Sequence, residues 1–141
     1  MAKTSGLGEV VKVADASGTP QAITNDITDW NFATPKAVQD TTGVDKFAHE
    51  RLLLLADFTV TLKGVFNAAA NMSHAVFSTI SSTAVNRSVE IDPIGTTTGN
   101  PKLVNNCVLT DYQVTRANTG ALTWSVPGSL ADGASPAWTV N

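Results

Sequence analysis

The chain has 141 residues and a mass of 14.7 kDa, the size of one domain around one hydrophobic core. Only 15% of residues are charged, and twelve acids against nine bases leave a net charge of −3, which excludes a phosphate-gripping surface of clustered lysine and arginine. A lone cysteine, Cys107, excludes an intrachain disulfide, no apolar run nears the ~20 residues of a membrane span, and the N-terminus lacks the apolar stretch of a secretory signal; a soluble protein made in a cytoplasm is expected.

In chain order, residues 8–14 (GEVVKVA) read as a strand, the turn formers DASGTP follow, and residues 21–24 return as a second strand of a hairpin. Residues 27–32 (ITDWNF) carry β-formers, with Trp30 and Phe32 on one face, until Pro35 interrupts. Residues 39–50 (QDTTGVDKFAHE) are polar and aperiodic and read as a long loop, a class of segment that commonly contacts partners. Residues 51–66 (RLLLLADFTVTLKGVF) alternate, placing Leu52, Leu54, Ala56, Phe58, Val60, Leu62, Gly64 and Phe66 on one face. As one strand they would span on the order of 50 Å, about three times the usual length.

A helix is expected next, with Asn67 as N-cap, Ala68, Ala69 and Ala70 in its first turn, and Ala69, Met72, Val76 and Ile80 on its core face. Residues 85–92 alternate again, Val85, Val89 and Ile91 inward and Asn86, Ser88, Glu90 and Asp92 outward. Residues 93–101 form a Gly/Thr/Pro loop, and strands over 102–116 and 121–130 meet at a tight turn at Asn118, Thr119 and Gly120. About seven strands and one helix result. The expected fold is mainly β, a β-sandwich or partly rolled barrel with one flanking α-helix, as a single domain over residues 1–141. An N-terminal arm (1–7) and the 39–50 loop would be unstructured until assembly.

Chemistry is sparse. His49 and His74 lack partners at catalytic or metal-ligand spacing, the acids form no calcium loop, and Cys107 reads as a buried hydrophobe. Neither a nucleotide-binding glycine loop nor a nucleophile elbow occurs, so no enzyme, cofactor or metal is expected. A carbohydrate-binding module would need exposed aromatics, and only Trp138 of the three tryptophans escapes a core-like pattern.

Two stretches, TTGVDKFAHERLLLLADFTVTLKGVFN and LTDYQVTRANTGALTWSVPGSLADG, with SHAVF between them, resemble the major tail tube proteins of long-tailed, non-contractile (siphovirus-type) bacteriophages. Val60, where that family would have a small residue, and Gly128, where it would have a bulkier one, depart from the pattern. The resemblance implies a virion tail protein, assembled in the host cytoplasm, that self-assembles into six-membered rings stacked into a tube. DNA would pass through the lumen without specific binding. A tape-measure protein and tail terminator and initiator proteins would be further partners, and no membrane would be involved. A capsid-decorating or baseplate β-sandwich is the alternative.

A lumen that lets a polyanion slide should be neutral or acidic. On that ground the candidate lumen-facing residues are Asp57, Thr59, Thr61, Glu90 and Asp92, with Lys63 and Arg87 expected to pair with acids or turn to a neighbour. The candidate inter-ring or neighbour contact is Thr41, Thr42, Gly43, Val44, Asp45 and Lys46.

Overall fold

The computed structural model describes residues 3–141. One large antiparallel sheet dominates. Its backbone path runs β2 (Pro20–Ala22), β1 (Val10–Ala14), β7 (Arg87–Asp92), β8 (Pro101–Leu109), β10 (Leu122–Leu130), β6 (Thr59–Val65) and β3 (Ile27–Ala33). Two short strands extend it, β9 (Gln113–Arg116) beside β10 and β11 (Trp138–Val140) beside β8. β8 is the corner strand: it pairs β7 through Leu103 to Cys107 and β10 only through Cys107 to Leu109.

Alternating residues of every long strand feed a single buried cluster, which includes Val11, Val89, Leu103, Trp124, Val126, Phe58 and Leu62. Because one cluster takes the inner side chains of both halves, the sheet curls over itself as a sandwich, and the outer faces of its two halves look away from each other. This is the expected mainly-β class with one flanking helix.

Several expectations are corrected. The expected 51–66 strand is two strands, β5 (Arg51–Ala56) and β6, broken where the Asp57 amide donates to Pro35 O (2.8 Å) and Phe58 turns into the core. Leu52 and Leu54, expected inward, are exposed. β5 leaves the main sheet and pairs only with β4 (Lys36–Asp40), whose last residues, 39–40, fall in the expected loop. The 102–116 strand is likewise interrupted, between β8 and β9.

The helix α1 is only Ser73–Phe77. Asn67 Oδ1 accepts from the Ala69 amide, and Asn71 takes a left-handed φ of 61°, so the alanines form an exposed turn instead of a first helical turn. The helix begins where buried Asp26 reaches across the fold, its Oδ2 accepting from the Ser73 amide at 2.9 Å while Oδ1 accepts from Asn67 Nδ2.

The two departures from the family pattern prove to be neighbours. Val60 and Gly128 are directly opposed across β6 and β10. A methyl group on Gly128 would lie 3.1 Å from Val60 Cγ1 and 2.8 Å from Leu109 Cδ2. The absent side chain at Gly128 leaves room for Val60 and Leu109. Gly64 is more tightly constrained, since a Cβ there would come within 2.0 Å of Asp26 O.

Candidate assembly surfaces

The β4–β5 ribbon is exposed along nearly its whole length. Its strands pair Val38 with Leu53, Gln39 with Leu52 and Asp40 with Arg51, beyond the edge of the main sheet. Four consecutive leucines, Leu52 to Leu55, remain 43–86% exposed, as does Val38. Val44 and Phe47 at the tip are fully exposed. An isolated two-stranded ribbon is marginal in water, and contiguous apolar exposure of this extent marks an interaction surface. The sequence carried the signal in its unbroken leucine run, which makes both faces of the strand apolar and is inconsistent with a simple half-buried strand.

The expected contact residues Thr41, Thr42, Gly43, Val44, Asp45 and Lys46 all lie in the tip. Within the chain it is a loop without helix or strand, held by local hydrogen bonds. The Thr41 amide donates to Glu50 O (2.9 Å), Lys46 N to Gly43 O (3.1 Å) and Glu50 N to Thr42 Oγ1 (2.9 Å). Asp40 anchors it, its carboxylate accepting from the Thr42 hydroxyl and amide and lying 3.2 Å from His49 Nδ1. These bonds, the Thr42 hydroxyl first, hold the Asp40 carboxyl below its usual range. Residues 3–7 are exposed without regular structure; Met1 and Ala2 of the expected arm lie outside the described residues.

The candidate lumen residues do not form one surface. Thr59 and Thr61 lie on the outer face of the β9–β10–β6–β3 half, beside Ser129, Pro127 and Asn31. Lys63 on this face is directly opposite Asp29 in the strand register, without an ion pair within 4 Å, while Asp29 Oδ1 accepts from the Thr28 hydroxyl (3.1 Å). Glu90 sits on the other half, opposite Lys12 and 3.8 Å from Lys102 Nζ. Asp57 is exposed at the hinge between β5 and β6, its Oδ1 accepting from the Phe58 amide at 2.8 Å.

Asp92 is corrected outright: it is fully buried, Oδ1 accepts from Asn141 Nδ2 (3.2 Å), and it presents nothing to a lumen. The strand ends there, so the alternation that would turn it outward no longer applies.

Arg87 is also inside, 1% exposed, as its shared parity with Val89 and Ile91 would indicate. It finds no acid within salt-bridge distance. Nη1 donates to Val76 O (2.8 Å) and Ala14 O (3.3 Å), and Nη2 to Thr79 Oγ1 (2.9 Å) and Thr83 Oγ1 (3.3 Å). The guanidinium thus closes the C-terminal end of α1 and ties it to β1. Burial lowers its pKa, opposed by the more distant charge of Asp15.

Of the groups considered for chemistry, Cys107 is buried and its thiol is pushed up to about 12 by desolvation, so it is not a reactive nucleophile. His74, expected on an exposed face, is instead half-buried between Phe66 and Tyr112, with Nδ1 3.2 Å from the Tyr112 hydroxyl. Among the described residues no three His, Cys, Asp or Glu side chains are grouped to hold a metal, and no helix is long and apolar enough to cross a membrane. Of the tryptophans, Trp124 is buried, Trp30 half-buried and stacked on Phe32, and Trp138 is 51% exposed.

No family model and no curated protein matches the chain. Solved structures do. A chain from the tail of an empty gene transfer agent (GTA) particle, obtained by helical refinement with C6 symmetry, matches with a TM-score of 0.74 at 14% identity, covering 99% of each chain. A chain from the virion of a native GTA particle matches with a TM-score of 0.73 at 13% identity, again covering 99% of each. At this identity the likeness establishes that the chain shares their fold along essentially its whole length.

Proposed function

We propose that this chain is a virion tail structural protein whose copies form six-membered rings stacked into a tube for DNA delivery. The observation that carries the reading is the projecting β4–β5 ribbon, whose leucine run is left uncovered by its own domain. Full-length likeness to chains from assembled GTA particles, one of them a tail with C6 symmetry, supports it. Its role is assembly, not catalysis.

In this reading the β9–β10–β6–β3 half faces the lumen. Thr59 and Thr61 supply uncharged polar groups, and Asp29 stands opposite Lys63 in the strand register. A face of this kind offers a sliding polyanion few uncompensated cations to hold it. Glu90 belongs to the half that looks away and does not line the lumen. The 41–46 tip contacts a neighbouring copy, and tape-measure, initiator and terminator proteins are the further tail partners.

Sedimentation velocity across a concentration series tests the oligomer. Six copies of 14.7 kDa give a species of about 88 kDa, followed by larger assemblies built from it. A closed dimer or trimer that never grows would overturn the ring reading and favour a decoration protein.

A further inference from the structure

The ribbon carries an apolar knob at one end and an apolar groove at the other. At the tip, Phe47 and Val44 are fully exposed. At the root, a groove of about 490 Å³ is lined by Pro35, Lys36, Ala37, Leu55, Ala56 and Asp57. A second hollow, of about 250 Å³, shares Leu55 to Asp57 and continues to Leu130.

The groove cannot be filled by its own tip. The two are separated by the length of β4 and β5, five and six residues, or roughly 17–20 Å of extended strand. Any tip that occupies it belongs to another molecule. Val44 and Phe47 at the tip, and the leucines of each ribbon face, Leu52 and Leu54 on one and Leu53 and Leu55 on the other, are left uncovered by the domain, exposure that marks an interaction surface. Lys36 and Asp57 flank the groove, while at the tip Lys46 is paired within its own loop to Asp45 (3.7 Å) and Glu50 (3.8 Å), so the apolar Phe47 and Val44 are what the tip offers a partner.

We propose that the ribbon tip of one copy docks in the ribbon-root groove of a second copy, Phe47 entering between Ala37 and Leu55. This rests on the assembly reading above and adds its point of contact. The contact is heterologous, joining different patches of the two copies, so it can repeat without closing on a dimer. It also brings the incoming ribbon against one face of the leucine run.

The test uses two full-length variants, A48C, beside the knob, and A37C, in the groove. Mixing them with a short bismaleimide should give a covalent dimer, each thiol adding across one maleimide double bond. Native Cys107 is buried and stays unmodified. Dimer is expected from the A48C and A37C mixture and not when A37C is replaced by S17C, on the distant β1–β2 turn. Adding F47A to the A48C chain should reduce the yield at least tenfold, without changing the stability of the monomer, because Phe47 is fully exposed. Tubes seen by electron microscopy in a mixture that gives no A48C–A37C adduct would overturn this seat and leave the tube reading standing. Absence of both adduct and tubes would overturn both.

Discussion

The opposition of Val60 and Gly128 makes a quantitative statement about packing that a double-mutant cycle can test. Gly128→Ala adds a methyl 2.8 Å from Leu109 Cδ2 and 3.1 Å from Val60 Cγ1. Overpacking of this kind costs about 1–3 kcal/mol, offset by about 0.4–1 kcal/mol from the stiffer unfolded chain. A net loss of about 1–2 kcal/mol is expected. Val60→Ala, at a position 3% exposed, deletes two methyl groups from the core and should cost about 1.5–3 kcal/mol through lost transfer energy and the cavity left behind. In the double variant the new methyl occupies part of the vacated space and the clash with Val60 disappears. The two losses should therefore be sub-additive by about 1–2 kcal/mol. Urea unfolding of dilute, monomeric protein, followed by the fluorescence of buried Trp124, measures all four corners. Additivity within about 0.5 kcal/mol would refute the compensation argument.

Other consequences follow from Arg87, Gly64 and Asp15. Arg87→Met should destabilise the monomer by about 2–4 kcal/mol, since it leaves Val76 O and Ala14 O without their charged donor inside the fold; urea unfolding within about 0.5 kcal/mol of the parent would show that the guanidinium is dispensable. Gly64→Ala should cost more than Gly128→Ala, because its Cβ meets the rigid backbone oxygen of Asp26 at 2.0 Å instead of the end of a side chain; equal losses in the same assay would contradict the close approach. Asp15 is held at about 2 by the Ser17 hydroxyl first, then Gln21 and the Thr19 amide. Its folded pKa lies below the unfolded value near 3.9, so its contribution is present above pH 4 and lost as pH falls through about 2. The stability gap between parent and Asp15→Ala should therefore narrow from pH 4 to pH 2, and a gap independent of pH would remove the carboxylate from that turn.

Local patterns in the sequence were sufficient where the chain obeys one period and one neighbour. The alternation of residues 59–65 and the turn at Gly120, which has a φ of +95°, are observed as expected. What failed depends on contacts distant in sequence. The start of α1 is set by Asp26, 47 residues earlier, and no helix propensity of the three alanines competes with that cap and the left-handed Asn71. The hinge at Asp57 needs Pro35 O, and the burial of Asp92 needs Asn141. Candidate surface residues were legible only as polar or apolar. Whether Thr59 and Glu90 share a face depends on the bend at β8, which no alternation pattern encodes. The groove at the ribbon root was invisible because residues 35–37 and 55–57 meet only through the β4–β5 pairing.

Negative-stain electron microscopy of the purified protein across a concentration series tests self-assembly most directly. The account predicts hollow tubes of uniform diameter, or stacked rings with six-fold end views, appearing as concentration rises. Particles that remain single domains or small closed oligomers at every concentration, including after addition of tail-initiation proteins, would contradict it.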